Sequence, residues 1–326
     1  MINQFRTSSP INILLLFAYT FFMRIAILVD IPAELNFEFL EPYAKFFIQI
    51  PLQNDFSAIT NVLAAGLLVF VQAIIFNIVV NKHGLLPKPS YLPALLYITS
   101  ASLFMPFLVL SPTLICNLLL IWMMDKLLKI GKSPNVIMIM FDIGMIIAAG
   151  TLIYFPFIVM LLMLWLSLLL YKSFSWREWV SGLVGFITIF FFLGVFYYWN
   201  DNLGMFYKIW LPLTNKFPAT FKINYNDYLV LVPVALMLVL AMIQLRDNFF
   251  RSFISTRKAF QMLFFMFICA IVSFYTKPNF RLYHFLLCVP PGAVLLAYYF
   301  ANASKRWFYE SLFLILVFAI QFFLFV

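Results

Sequence analysis

Apolar runs of spanning length recur from residue 11 to residue 326, and no other feature of the sequence restricts its fold so severely. Hydrocarbon offers a backbone amide no water, so every N–H and C=O that crosses it must be paired within the protein, as only helices and closed barrels allow. Each run is far longer than the roughly 10 residues of a barrel strand, so the spans are helices. With 65% hydrophobic and 10% charged residues, the chain reads as an all-α polytopic membrane protein.

Hydropathy and breakers predict eleven spans, near residues 11–29, 58–80, 91–108, 112–128, 135–151, 154–171, 178–199, 229–246, 259–275, 282–301 and 308–325. The first run follows Arg6 but lacks a small-residue cleavage site, so it reads as a retained span and not a signal peptide. No segment between spans exceeds about 29 residues, too few for a soluble domain of ordinary size, so residues 1–326 form one membrane domain. Two connecting segments, 30–57 and 200–228, are longer than a turn needs to be, and function is sought there first. Cys116, Cys269 and Cys288 all fall within apolar runs without metal-ligand spacing, and read as small buried hydrophobes.

Placing the N-terminus in the cytoplasm puts most of the 21 basic residues on or near the inside, among them Arg6, Lys82, Lys126, Lys129, Lys132, Arg177, Lys258 and Arg306. The expected location is a bacterial inner membrane, crossed many times, with residues 30–57 and 200–228 outside. The net charge of +9 is scattered over short turns and forms no stripe, so it points to topology and anionic lipid, with no nucleic acid as partner. Trp176, Trp179, Tyr197, Tyr198 and Trp199 flank the two ends of the seventh span, where an interfacial aromatic belt is expected.

The stretch "MRIAILVDIPAELNFEFLEP", residues 23–42, sets an arginine inside an apolar run and then four carboxylates. Asp30 suits a helix N-cap, and Pro32 is tolerated in the first turn. At roughly 100° per residue, Asp30, Glu34, Glu38, Glu41 and Lys45 fall within an arc of about 80°, with Leu35, Phe39, Tyr43, Phe46 and Phe47 opposite. An amphipathic helix lying in the outer interface is therefore expected. Glu38 and Glu41 are explained as its wet face, whereas Asp30 stands at the junction with the span. Arg24 lies about 9 Å below the outer end of its helix, and either snorkels to that surface or finds an anionic partner.

Asp142, in "NVIMIMFDIGMIIAAG", is a carboxylate about halfway along the fifth span. Such a group is a functional candidate, or else a hydrogen-bonding partner for a neighbouring helix, with Gly144, Ala148, Ala149 and Gly150 permitting close packing. In "YTKPNFRLYHFLLCVPPG", Lys277, Arg281 and His284 crowd the outer end of the tenth span. Arg281 and His284 are three apart at an expected helix start, which makes a seat for phosphate. His83 sits in a short turn beside Lys82 and says little. The sequence carries no Walker loop, dinucleotide fingerprint, metal-binding histidine pair or nucleophile elbow.

The layout resembles the GT-C class of polytopic glycosyltransferases, in which a first span leads to an acidic outer loop with interfacial helices. The run from "LPALLYITSASLFMPFLVL" through "FDIGMIIAAGTLIYFPF" is similar to that class's short middle spans, and "RLYHFLLCVPPGAVLLAYYFA" to its late helix near the lipid phosphate. The resemblance implies a polyprenyl-phosphate-linked sugar as donor and glycosyl transfer to an envelope acceptor. Asp30, supported by Glu34, would be the catalytic base or hold a divalent cation, with Arg24, Lys277, Arg281 and His284 neutralising the lipid phosphate. The chain departs from the class in lacking an adjacent acidic pair in the first loop and a C-terminal soluble domain. It also resembles uncharacterised families of bacterial inner-membrane proteins, which imply no activity. Two other functions fit the sequence: a structural subunit of an envelope complex, or a lipid or solute transporter with Asp142 and Arg24 lining its pathway.

Overall fold

A computed structural model describes residues 1–29, 57–210, 229–249, 253–276 and 282–325. The described residues form helices and connecting turns, with no strand among them. In chain order the α-helices are α1 (Ile2–Phe5), α2 (Ile11–Phe22), α3 (Ile25–Val29), α4 (Ala58–Lys82), α5 (Leu92–Ser100), α6 (Pro112–Lys129) and α7 (Val136–Ile153). There follow α8 (Leu162–Tyr171), α9 (Trp176–Trp199), α10 (Leu203–Lys208), α11 (Leu231–Phe249), α12 (Ile254–Val272), α13 (Val289–Asn302) and α14 (Arg306–Phe325). Among the described residues, seven helical segments are long and apolar enough to cross a membrane: α4, α7, α9, α11, α12 with the turn after it, α13 with the turn before it, and α14.

The other expected spans take different forms. The first is broken at Met23 and Arg24, which separate α2 from α3. The third contracts to nine residues of α-helix followed by a 3-10 turn at Met105–Phe107 that contains Pro106. The sixth is half 3-10 helix, Phe155–Leu161, with Pro156 near its start, before α8 begins. Proline has no N–H and cannot continue an α ladder from within, so in the third and sixth spans the irregular backbone gathers where the prolines are. The fourth is a full helix, α6, but it carries Asp125, Lys126 and Lys129 and is less apolar than the seven.

Two hydrogen bonds mark the ends of the bundle. Tyr91 N–H donates to the Phe5 carbonyl at 2.9 Å, beside the N-terminus. Leu110 N–H donates to Asn61 Oδ1 at 2.9 Å, near the start of α4 and so at the opposite, far end. The segment between Tyr91 and Leu110 thus runs from one end to the other although its α-helix is short. Within the apolar interior, polar side chains join neighbours: Tyr97 Oη donates to Gln72 Oε1 (2.8 Å), Gln72 Nε2 to the Leu114 carbonyl (2.6 Å), and Tyr19 bonds Thr99 (2.9 Å). Each removes a polar group from contact with hydrocarbon.

α5 and α13 lie at the centre. Every residue of α5 is buried, as is every residue of α13 from Val289 to Phe300, and the two pack on each other. α9 and α11 instead present long rows of exposed apolar side chains, as lipid-facing helices do. α9 meets α7 backbone to backbone. A Cβ added at Gly144 would collide with the Gly182 carbonyl, and one at Gly185 with the Phe141 carbonyl, while Ser181 Oγ donates to the Ile137 carbonyl at 2.6 Å. The close packing expected around Gly144 is therefore present, with Gly182 and Gly185 as its other half. Gly150 serves differently, seating the Phe157 ring. Gly144→Leu or Gly185→Leu should separate α7 from α9 and lower the melting temperature of the detergent-solubilised protein, whereas Phe191→Leu on the exposed face of α9 should leave it unchanged.

Candidate functional site

Arg24 is the most unusual side chain among the described residues. It is 0% exposed, so it does not snorkel to a surface. The helix break holds it there: Met23 N–H reaches the Tyr19 carbonyl, Arg24 N–H the Phe21 carbonyl, and the helix resumes at Ile25. Its stem lies against α4 at Gly66, where an added Cβ would stand 3.2 Å from Arg24 Cδ and Nε. Nη1 donates to the Thr20 carbonyl at 3.2 Å, while Nε and Nη2 have no hydrogen-bond partner among the described residues. A buried guanidinium with donors to spare is costly to maintain and is a ready receptor for an anion.

At the far end, His284 is 1% exposed and lies among aromatic rings. Its ring centroid is 5.4 Å from that of Tyr154 and 5.2 Å from that of Tyr283, and Nε2 stands 3.5 Å from Tyr154 Oη. The α-helical start expected at residue 282 is instead a 3-10 segment, Leu282–Cys288, and α13 begins at Val289. The cause is the sequence: Pro290 and Pro291 suit the first turn of a helix but cannot lie deeper in one. His284 is therefore part of a buried aromatic cluster, tied to α6 two residues later by Asn117 Nδ2, which donates to the Leu286 carbonyl at 2.9 Å.

Asp142 lies about 9 Å from the N-terminal end of α7, nearer one end than the expected midpoint. Its Oδ2 pairs with Lys126 Nζ of α6 at 2.5 Å, so it joins neighbouring helices. Adjacent to Lys126 on α6, Asp125 is the centre of a second polar cluster. Asp125 Oδ1 accepts from Lys82 (3.1 Å) and meets His83 Nε2 (2.8 Å), and its Oδ2 accepts from Lys129 (2.5 Å). The spacing of Asp125 and Lys129 at i,i+4 was the readable signal; the approach of His83, 42 residues away, was not. Burial pulls the His83 imidazole below its ordinary pKa, with Lys82 and Lys132 pulling the same way and Asp125 opposing them.

Asp30, Glu34, Lys277 and Arg281 lie outside the described residues, as do Glu38, Glu41 and Lys45 and the greater part of the 200–228 segment. Among the described residues no group of three or more His, Cys, Asp or Glu side chains is placed to hold a metal ion.

Helical segments of spanning length, lipid-type apolar faces and internally paired polar groups define a multi-pass membrane protein of the all-helical class. The chain belongs to the family described as a family of unknown function (DUF6427), whose model matches residues 36–326. Arg24, Asp30 and Glu34 precede the matched region, whereas Asp142, Arg281, His284 and the Asp125 cluster fall within it. No curated protein and no solved structure matches the chain.

Replacing a buried charge by an apolar side chain of similar length removes its desolvation cost, so Arg24→Met should leave the thermal stability unchanged or raise it, by up to about 4 kcal/mol in unfolding free energy. The chain has two histidines, so isotope labelling of histidine gives two assignable ring signals. His83 should titrate below the roughly 6.5 of an ordinary histidine, and lower still in Asp125→Asn. Its folded pKa is depressed, so the stability it contributes is complete above about 6.5 and is lost as pH falls through the folded value.

Proposed function

We propose that this protein is a GT-C-like membrane protein that acts on a polyprenyl-phosphate-linked sugar at the outer face of a bacterial inner membrane and transfers a glycosyl group to an envelope acceptor. The observation that carries the reading is Arg24: a fully buried guanidinium with Nε and Nη2 unpaired among the described residues, six positions before Asp30. A lipid phosphate would satisfy those donors with charge-assisted hydrogen bonds. Asp30, supported by Glu34, is the proposed base, or with a divalent cation its ligand, and Lys277, Arg281 and His284 are the proposed companions of Arg24.

The reading includes an N-terminus in the cytoplasm and eleven crossings, with the shorter helical segments passing through as broken pairs. The end-to-end course of residues between Tyr91 and Leu110 supports that count. The ion pair with Lys126 gives Asp142 a structural partner, and so lends the transporter reading no support.

Deleting the protein from its host should alter the envelope glycan or glycolipid profile. Asp30→Asn and Arg24→Met, expressed at wild-type level, should fail to restore it. A profile unchanged by deletion, or restored by both variants, would overturn the proposal and leave the role of an envelope-complex subunit.

A further inference from the structure

We propose that the N-terminal end of the bundle carries a binding pocket for a phosphate-bearing anion, separate from Arg24 and independent of the glycosyl-transfer reading. A cavity of about 210 Å³ opens where the ends of α4, α6 and α8 meet the start of α12. His83, Lys132, Ser255 and Lys258 supply its polar lining, and Leu128 and Tyr171 an apolar wall.

The charge around this cavity is one-sided. Among the described residues no aspartate or glutamate lines it. The neighbouring carboxylate, Asp125, is occupied by Lys82, His83 and Lys129, and neither Lys132 nor Lys258 has a carboxylate partner among the described residues. Two ammonium groups, six donors in all, thus face one space with no counterion from the described protein.

The start of α12 adds to this. Phe253 occupies its N-cap and has no side-chain acceptor to offer, so no capping side chain takes the first-turn amides of this 19-residue helix, whose Ile254 and Ser255 line the cavity. Amides at a helix start favour an anion, and the Ser255 hydroxyl supplies a further donor. A tetrahedral phosphate, with several acceptor oxygens and one or two negative charges, matches this set of donors better than a planar carboxylate does.

The apolar wall indicates what else the ligand carries. A Cβ at Gly131 would stand 2.8 Å from Tyr171 Cδ1, so the glycine lets that ring close against the turn after α6. Lys258 Nζ lies 6.0 Å from the same ring's centroid. Phe174 in the turn after α8, Trp176 at the start of α9 and Phe253 at the N-cap of α12 are exposed as interfacial aromatics are. The pocket therefore sits at headgroup depth, within reach of the phosphate of an anionic lipid as well as of a free phosphate.

The experiment uses the full chain, delipidated in an uncharged detergent, with melting temperature and native mass spectrometry as readouts. Short-chain phosphatidylglycerol, phosphatidylcholine and inorganic phosphate are added in separate arms. Phosphatidylglycerol or inorganic phosphate should raise the melting temperature of the wild type, and whichever does so identifies the source of the phosphate. Lys132→Gln with Lys258→Gln should weaken that binding roughly thirty-fold, and Lys132→Arg with Lys258→Arg should keep it within about threefold. Lys88→Gln, an exposed lysine outside the cavity, should change it less than about twofold. Binding that is absent from the wild type, equal in the double glutamine variant, or weakened as much by Lys88→Gln would overturn the proposal.

Discussion

An unpaired peptide group in hydrocarbon costs several kcal/mol, and this chain interrupts its helices repeatedly. The structure depends on how those interruptions are resolved. Asn61 takes the Leu110 amide where the chain turns into α6, and Asn117 takes the Leu286 carbonyl, for which Pro290, four residues on, has no N–H. Arg6 serves the end of α13, with Nε and Nη2 donating to the Phe300 carbonyl and Nη2 also to that of Ala303. Its guanidinium meanwhile lies 4.2 Å from the centroid of the Tyr309 ring. A few amides and one arginine thus make possible a bundle that uninterrupted helices would not give.

The helical class and the positions of most elements were legible because hydropathy reports burial in lipid directly, residue by residue. Gly144 was legible too, since a small residue in an apolar helix has few other uses. Its counterparts Gly182 and Gly185 were not, because which face of α9 meets α7 is decided by tertiary packing. The lengths of the interrupted segments were harder. Hydropathy sees 91–108 as one apolar run and does not register that Ser100, Ser102 and Pro106 divide it between a short helix and irregular backbone. For the candidate residues the limit was similar. Arg24 could be recognised as a cation in the wrong solvent, but whether it snorkelled depended on the break at Met23 and on Gly66, more than 40 positions away. His83 looked uninformative because its partner, Asp125, belongs to another helix.

The two ends of the bundle differ in kind. At the N-terminal end charges are plentiful and mutually organised: Asp125 gathers three cationic or imidazole partners, and Glu310 accepts from the Ile2 and Asn3 amides. At the far end His284 is buried and enclosed by Tyr154 and Tyr283, while Asn200, Asp201 and Lys208 stand exposed. A solvated basic rim tolerates substitution because water can replace a lost partner. A dry aromatic enclosure does not, so equal changes in side-chain chemistry have unequal consequences at the two ends.

The central position of α5 bears on the order in which the chain can be assembled. A nine-residue helix is about 13 Å long, less than half the thickness of the hydrocarbon layer, and the irregular backbone after it is tolerable at that depth only when walled by protein. Part of that wall is α13, which leaves the ribosome some 190 residues later. During synthesis, therefore, α5 cannot settle as an autonomous span in the order it emerges. It must wait at the interface, or in the care of the insertion machinery, until nearly the whole chain is present, and a truncation before α13 would strand it.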